Sequence, residues 1–310
     1  MSPYSQMTDI KSYLNENKNL VDDFIKSYME ERGYSKKFSC NNFSIGETMI
    51  YSLSNGGKRI RPVLLMLVAE GLGFNDKKKL LPFASSLEFI HSYSLIHDDL
   101  PAMDNDSIRR GKPTNHIVYG EASAILAGDA LLTEAFVILS NEKYTGWLMP
   151  GKSLRLINEL SGASSAGGLA GGQFLDVNSF NSILTMEEIE IINREKTGRL
   201  IEAACVMGAI LSDGENDAIE NIRRFGSYVG LTFQIVDDIL DLAGNREITG
   251  KTVGIDKINK KCNLVGTIGM EKSLELVNRY NEKAAQALAE AGIKNDMIMD
   301  FVNYLTNRIS

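Results

Sequence analysis

Residues 221–244 read NIRRFGSYVGLTFQIVDDILDLAG, and the spacing of their apolar side chains decides the fold class. One set recurs at steps of 3, 4, 3, 4 and 3 residues: Ile222, Phe225, Val229, Thr232, Val236 and Ile239. This period lines one face of a helix. Gly244 is a residue that commonly ends helices, and no period-2 strand pattern bounded by hairpin turns is evident in the chain.

The rest of the chain shares this helical character. All six prolines lie at or before residue 150, so the last 160 residues contain no proline that would interrupt a helix. The small-residue run SGASSAGGLAGGQ (161–173) fits either a linker or a close approach between helices. We predict one all-α domain over residues 1–310, with helices at roughly 6–32, 42–54, 60–71, 79–99, 116–140, 151–164, 186–212, 215–242, 260–290 and 296–308.

Composition limits the function. The net charge of −7 and the pI of about 5.2 argue against general nucleic-acid binding, which needs a basic surface. The three cysteines are widely spaced, with no CxxC pair, which fits a reducing compartment and gives no zinc signature. The N-terminal segment has no apolar core of the signal-peptide type, and we expect no membrane span. The predicted location is the cytoplasm.

Two clusters of carboxylates stand out in this chain. In the second, Gln234, Asp237, Asp238 and Asp241 fall within about 100° of one another on the helix surface. A solvated acidic face is one interpretation. However, the intervening residues are nearly all apolar, and an unpaired acidic stripe on a buried helix is costly. We therefore expect a cation beside this stripe.

The first cluster lies in HSYSLIHDDLPAMDNDSIRR, residues 91–110. Pro101 predicts that the helix ends near Leu100, which leaves Asp104 able to turn back toward Asp98. Because acids are unfavourable at a helix C-terminus, something positive should compensate them. Ligands that offer only oxygen suit Mg²⁺, with Mn²⁺ as a second candidate, and Mg²⁺ commonly also binds substrate phosphates.

Basic residues accompany both acidic clusters. Each alone is usually a solvated surface charge, but their co-occurrence with the acids describes a site for two diphosphates, one bound through metal and one directly. The segment GGKRIRP (56–62) is not a Walker A motif, because the spacing differs. The basic candidates are Lys58, Arg59, Arg61, Arg109, Arg110, Lys196, Lys251 and Lys261.

With these pieces, the sequence resembles the trans-isoprenyl diphosphate synthases, or polyprenyl synthetases. The matching segments run in family order from about residue 45 to 265: GGKRIRP, LEFIHSYSLIHDDLPAMDND with RRGKPTNH, AGDALLTEAF, GGQFLDV, EKTGRLIEAA, FGSYVGLTFQIVDDILD and GKTVGIDKINKK. The likeness is greatest to bacterial short-chain members. It implies an all-α bundle around a deep central cavity, a homodimer, and Mg²⁺-dependent head-to-tail condensation of isopentenyl diphosphate with an allylic diphosphate.

The resemblance also implies roles for individual residues. The metal ligands would be Asp98 and Asp104, supported by Asp99, with Asp237 backed by Asp238 and Asp241. The contacts to isopentenyl diphosphate would be Lys58, Arg61, His91 and Arg110. The contacts to the allylic diphosphate or its cation would be Arg109, Lys196, Thr197, Gln234 and Lys251. Asp98, Asp104, Lys196 and Asp237 would be the catalytic residues among them.

Product length is assigned to Tyr93, with Ser94 beside it. Tyr93 lies five residues before Asp98, about 7.5 Å along a helix. An aromatic residue at this position floors the cavity in the family and stops growth near C15, and the DDLPAMD spacing fits the same short-chain class. The other interpretation of Tyr93 is an ordinary core aromatic residue. The expected product is farnesyl diphosphate.

Alternatives remain at this point. A geranylgeranyl diphosphate synthase would be favoured if Tyr93 points away from the cavity. A non-catalytic partner subunit tends to lose aspartates from one cluster, whereas both clusters survive here. DDILD argues against a terpene cyclase. The chain departs from the family at Ser107, where an aspartate is usual, and at Cys262–Asn263.

Overall fold

The computed structural model describes residues 3–37, 39–40, 43–179, 182, 184–242, 264–293 and 295–307. Over these residues the chain is almost wholly helical, which confirms the all-α class. The strands in the described ranges are two short antiparallel pairs, β1 (Ser39–Cys40) with β2 (Phe43–Ser44) and β3 (Ile108–Arg109) with β4 (Lys112–Pro113).

The helices up to residue 164 are α1 (Pro3–Arg32), α2 (Tyr34–Lys37), α3 (Ile45–Ser54), α4 (Ile60–Gly71), α5 (Lys77–Asp98), α6 (Asn115–Tyr119), α7 (Glu121–Ser140), α8 (Glu142–Thr145) and α9 (Pro150–Ser164). They are followed by α10 (Leu169–Asn178), α11 (Met186–Asn193), a π-helical turn (Arg194–Gly198), α12 (Arg199–Leu211), α13 (Asn216–Leu242), α14 (Leu264–Ile268), α15 (Met270–Glu290) and α16 (Asp296–Thr306).

The described residues form two compact units. The first unit comprises residues 13–63 and 76–153. Within it, α5 packs along α7, and both contact α3. Side chains at the centre of this packing, such as Phe89 and Leu131, are fully buried. A polar link joins α1 to α7, because the Tyr28 hydroxyl donates to Glu134 at 2.5 Å. This packing fixes α5, the helix that carries the first acidic cluster.

The second unit comprises residues 3–12, 64–75 and 154–307. Its centre is α13, which packs against α12 and α15. Two glycines allow close helix contacts: a Cβ at Gly226 would lie 2.8 Å from Glu202 Cα, and one at Gly208 would lie 2.5 Å from the Leu65 carbonyl oxygen. Such distances exclude larger side chains without backbone movement. The buried stripe predicted from residues 222–239 lies against these neighbours.

Several expected helices are interrupted where the sequence pattern was continuous. The helix expected at 116–140 breaks at Gly120 (φ 84°), and the one expected at 260–290 breaks at Gly269 (φ 85°), because both glycines adopt a left-handed conformation. Residues 161–173 form no extended linker, since α10 begins at Leu169 and Gly172 packs onto the backbone of Lys196. This outcome favours the close-approach interpretation of that segment.

One helix in the described ranges, α7, is long and apolar enough to cross a membrane by length and composition. Part of that composition is explained by packing inside the first unit, since Ala124, Ala127 and Leu131 are fully buried there. A core helix passes the same test, so α7 is weak evidence for a span. The predicted absence of a membrane span stays a prediction.

Candidate active site

The GGKRIRP loop connects α3 to α4 in the first unit. Gly56 (φ 81°) and Gly57 (φ 127°) turn the chain in a conformation that favours glycine. Pro62 lies in the first turn of α4, where its missing N–H costs no helical hydrogen bond. As a result, Lys58 is exposed at the loop, whereas Arg61 lies in the first turn of α4 and is 9% exposed.

Arg110 lies against this loop. Its guanidinium donates to the Gly56 carbonyl oxygen, and a Cβ on Gly57 would stand only 2.7 Å from one of its nitrogens. Arg110 lies 54 residues after Gly56 in the sequence, so tertiary packing brings them together. Arg110 and the GGKRIRP loop are therefore brought together within the first unit, and the substrate contacts assigned to them stay predictions.

The C-terminal end of α5 turns back on itself. The helix ends at Asp98, and the Asp104 N–H donates to the Asp98 carbonyl oxygen at 2.9 Å. The Asn105 N–H closes the same turn onto the Leu100 carbonyl oxygen at 3.1 Å. Pro101 is exposed at the outside of this turn. The backbone thus brings Asp104 next to Asp98, as predicted.

Asp99 has a different environment from Asp98. It is 3% exposed, and its carboxylate accepts from Arg109 Nε at 2.7 Å and contacts Arg109 Nη2 at 2.5 Å. Asp106 lies 3.6 Å from the same guanidinium. Burial raises the pKa of Asp99, although Arg109 opposes that rise. In this structure Asp99 orients Arg109, whereas Asp98 is half-buried at the end of the helix.

His91 and Tyr93 lie one to two turns before Asp98 on α5. Burial, followed by the charges of Arg61 and Arg110, lowers the pKa of His91 well below its usual value, so its imidazole is neutral at pH 7. Tyr93 is 7% exposed and meets the ring of His97 edge-on at 5.8 Å. Burial, with the charge of Asp98, raises the pKa of Tyr93 to about 12. The Ser94 hydroxyl donates to the His91 carbonyl oxygen at 2.9 Å.

Two residues of the RRGKPTNH segment support these groups, and sequence reasoning gave them no role. The Thr114 hydroxyl donates to the Asp106 carbonyl oxygen at 2.7 Å. The Asn115 amide donates to the Thr48 carbonyl oxygen at 2.9 Å and to the Ser52 hydroxyl at 2.8 Å. A small cavity beside Arg109 and Arg110 is lined by both residues. Ser107 is exposed, and its carbonyl oxygen accepts from the Thr114 N–H.

In the second unit, the π-helical turn presents Lys196 and Thr197. Lys196 Nζ forms an ion pair with Asp176 Oδ2 at 2.6 Å. The turn packs closely, since a Cβ at Gly230 of α13 would lie 2.7 Å from Gly198 Cα. Single π-turns inside helices are rare, and where they occur they frequently lie at functional sites. Neither this turn nor the role of Asp176 was predicted, although GGQFLDV was singled out as a family segment.

The second acidic cluster is connected to this turn by hydrogen bonds. The Thr197 hydroxyl donates to Gln234 Oε1 at 3.0 Å, and Gln234 Nε2 donates to Asp238 Oδ1 at 2.9 Å. The Leu264 N–H donates to Asp238 Oδ2 at 3.2 Å. Asp238 is therefore buried, and both of its carboxylate oxygens accept hydrogen bonds from the protein. Asp237 and Asp241 are half-buried on the same helix.

The carboxylate oxygens match the chemistry that a hard divalent ion prefers. Within the described ranges, however, no three metal-ligating side chains are gathered into one preformed group. The donors are divided between the two units: Asp98, Asp99 and Asp104 in the first, and Asp237, Asp238 and Asp241 in the second. Lys251, Lys261 and Cys262–Asn263 lie outside the described residues.

Comparison with known proteins gives one family. The polyprenyl synthetase family matches residues 44–299. The chain is 38% identical to the farnesyl diphosphate synthase of Bacillus subtilis (strain 168), covering 96% of this chain and 98% of that protein. It is 47% identical to the farnesyl diphosphate synthase of Micrococcus luteus over 84% of this chain and 88% of that protein. The geranylgeranyl diphosphate synthase of Cyanophora paradoxa is 38% identical over 99% of both chains.

Solved structures agree with this assignment. A geranyltransferase from Helicobacter pylori, complexed with magnesium and isoprenyl diphosphate, superposes with a TM-score of 0.80 at 29% identity. The match covers 100% of this chain and 98% of that chain.

The buried Asp99–Arg109 pair gives a stability prediction. Asp99→Asn leaves a guanidinium that is only 11% exposed without its main counter-ion, so we expect the free energy of unfolding to fall by about 3 kcal/mol. Urea unfolding followed by circular dichroism measures this loss. The control is Glu31→Gln, which breaks the exposed Lys143–Glu31 pair and should leave stability unchanged. Equal effects of the two substitutions would contradict the assignment.

Proposed function

Because the chain belongs to the polyprenyl synthetase family, we propose that it is a short-chain trans-prenyltransferase that makes farnesyl diphosphate. It condenses isopentenyl diphosphate with dimethylallyl or geranyl diphosphate. The observation that carries this proposal lies within the first unit: the loop of Lys58 and Arg61 meets Arg110, while Asp98 and Asp104 are brought together on the adjoining helix end.

The basic group suits direct recognition of a diphosphate. Lys58 is exposed and offers a compact charge, whereas Arg61 and Arg110 offer planar guanidinium groups that match phosphate oxygens. Neutral His91 can donate one hydrogen bond without adding to the repulsion among the arginines. These four residues form the proposed isopentenyl diphosphate site.

The acidic groups suit a divalent cation bound with the allylic diphosphate. Asp98, Asp104 and Asp237 would hold Mg²⁺, and Mn²⁺ is a chemically similar substitute; Asp99, Asp238 and Asp241 would support them. When bound, the metal supplies Lewis-acid stabilisation of charge on the leaving diphosphate. The proposed allylic diphosphate contacts are Arg109, Lys196 and Lys251.

The proposed reaction breaks the bond between the allylic carbon and its diphosphate. The double bond of isopentenyl diphosphate then attacks the resulting carbocation, and loss of a proton restores a double bond. The Thr197–Gln234–Asp238 chain orients oxygen atoms that can stabilise the positive carbon. Val236 and Ile239 are apolar and buried, and they lie before and after Asp238 in the sequence. They help to exclude water from this segment.

Tyr93 is the proposed determinant of product length. It is buried on α5 about 7.5 Å before Asp98, with Ser94 beside it. A fifteen-carbon product is favoured because the tyrosine ring would occupy the space that a longer chain needs. The alternative is a geranylgeranyl diphosphate synthase, an activity named for one full-length relative. A non-catalytic partner subunit is less favoured, since both acidic clusters are intact.

A homodimer and a cytoplasmic location complete the proposal. In the first unit, Ile117, Val118 and Leu126 are 55%, 45% and 58% exposed, which is typical of a surface that another chain covers. In the second unit, Phe174 is 67% exposed. The buried free thiol of Cys205 fits a reducing compartment.

A product assay tests the activity and its product length. With Mg²⁺, isopentenyl diphosphate and geranyl diphosphate, we expect farnesyl diphosphate as the main product, identified by chromatography after removal of the phosphates. EDTA should abolish the reaction, and added Mg²⁺ or Mn²⁺ should restore it, because the diphosphate is a poor leaving group without a counter-charge. Absence of condensation would reject the enzyme, whereas C20 as the main product would support the alternative.

The metal role of Asp98 gives a second test. Asp98→Asn should lower kcat at least about 100-fold, because charge on the leaving group loses part of its stabilisation. A Mg²⁺ titration of the variant should shift to higher concentration, with the melting temperature unchanged. The control is Asp23→Asn, an exposed acid on α1. Normal turnover and normal Mg²⁺ dependence in the Asp98 variant would reject this role.

The length role of Tyr93 gives a third test. Tyr93→Ala should extend the product to C20, because removing the ring opens space below the acidic end of α5. Tyr93→Phe keeps the ring and should keep C15, so it serves as the matched control. The products are compared by chain length at equal turnover. An unchanged C15 product from the alanine variant would show that another residue limits the chain.

A further inference from the structure

Arg59 lies between Lys58 and Arg61 in the GGKRIRP loop, but it is buried whereas Lys58 is exposed. Its side chain is 2% exposed, and its backbone adopts φ 50°, a left-handed conformation that is uncommon for residues other than glycine. The Arg59 carbonyl oxygen accepts from the Val63 N–H at 3.0 Å and so begins α4. The conformation of this one residue therefore directs the first turn of α4, which contains Arg61.

Three separate segments hold the Arg59 guanidinium. Its Nε donates to Asp22 Oδ1 on α1 at 2.7 Å. One terminal nitrogen donates to Glu88 on α5, and the other donates to the Leu53 carbonyl oxygen at the end of α3. A planar fork with several donors can satisfy all three acceptors at once, which a lysine ammonium on a flexible stem does less well.

The charges explain why Arg59 is not itself a substrate contact. Glu88 is 2% exposed and has no access to bulk solvent for its charge, so it depends on the guanidinium for compensation. Desolvation lowers the pKa of Arg59, but the charges of Glu88 and Asp22 raise it by more, and the group stays protonated. Its donors are directed into the protein, whereas the Lys58 side chain is exposed.

The loop is restrained from its other side by Arg110, which donates to the Gly56 carbonyl oxygen. Glu88 lies one turn before His91 on α5, so the Arg59–Glu88 pair also fixes the loop relative to that histidine. Lys58, Arg61, His91 and Arg110 thus share one anchor. Preorganisation of this kind lowers the cost of ordering side chains when a ligand binds.

We propose that Arg59 is a positioning residue for the binding of isopentenyl diphosphate. Through its contacts with Glu88, Asp22 and Leu53, Arg59 holds Lys58 and Arg61 in place. The inference rests on the proposed function. It assigns no contact between Arg59 and substrate. Loss of the anchor weakens binding of this one substrate and leaves the allylic substrate and the chemical step unaffected.

The experiment compares steady-state kinetics of the full-length chain and two variants. Arg59→Lys keeps the charge but not the three-way fork, and we expect KM for isopentenyl diphosphate to rise about tenfold, equivalent to about 1.4 kcal/mol. KM for geranyl diphosphate and kcat should stay within about twofold. Because a single change could prevent folding, the double variant Arg59→Met, Glu88→Leu removes the buried pair altogether, which such cores tolerate. It should show the same selective rise.

The matched control is Arg223→Lys in the second unit. Arg223 binds three carboxylates, Glu159 at 2.7 Å, Glu202 at 3.1 Å and Glu220 at 3.3 Å, so it reports the general cost of weakening such an anchor. We expect it to lower the melting temperature without a selective change in either KM.

The possible outcomes separate the inference from the proposed function. A selective rise in KM for isopentenyl diphosphate in both Arg59 variants supports positioning. Unchanged KM values, or an equal rise in KM for both substrates, overturn the positioning role of Arg59. If the wild type is active in the same assay, the proposed function still stands. An inactive wild type overturns both.

Discussion

Burial of charge is the constraint on which the first unit depends. A guanidinium removed from water needs carboxylates or carbonyl oxygens at hydrogen-bond distance, because an uncompensated buried charge is strongly destabilising. Arg59 is compensated by Glu88 and Asp22, and Arg109 is compensated by Asp99. Glu88 lies on α5 and Asp99 directly follows that helix, so ion pairs fix both the basic loop and the acidic turn to the same part of the first unit. Asp22 fixes the basic loop to α1 as well.

Helix geometry accounts for the different environments within each Asp-Asp pair. Consecutive residues lie about 100° apart on a helix, so the two carboxylates cannot share one environment. Asp99 and Asp238 are 3% and 6% exposed and accept hydrogen bonds from the protein, whereas Asp98 and Asp237 are half-buried. In both clusters the second aspartate orients a neighbouring group, Arg109 in one case and Gln234 in the other. The first aspartate is the more accessible to a cation.

Features that depend on the local sequence pattern could be predicted from the sequence. Features that depend on tertiary contacts were predicted less completely. The period of α13 and the end of α5 before Pro101 follow from side-chain spacing and proline sterics, and both are confirmed. The breaks at Gly120 and Gly269 need left-handed backbone, which the apolar pattern does not report. The π-turn at 194–198 packs against α10 and α13, and the Lys196–Asp176 pair joins the turn to α10. No periodic pattern in the sequence identifies either feature. Likewise, GGKRIRP displays three basic residues without indicating that Arg59 binds both a buried carboxylate and a backbone carbonyl oxygen.

Backbone strain gives independent support for a preorganised site in the first unit. Among the described residues, the non-glycine residues with positive φ are Arg59, Asn105, Arg110 and Asp213. Three of these four belong to the basic loop, the acidic turn and the β3–β4 connection of the first unit. Such conformations cost about 1–3 kcal/mol each and persist only where surrounding contacts determine them. Those contacts are present: ion pairs hold Arg59, the Gly56 carbonyl oxygen holds Arg110, and the Leu100 carbonyl oxygen holds Asn105. These contacts fix the backbone conformation of the segments that bear the proposed phosphate and metal ligands.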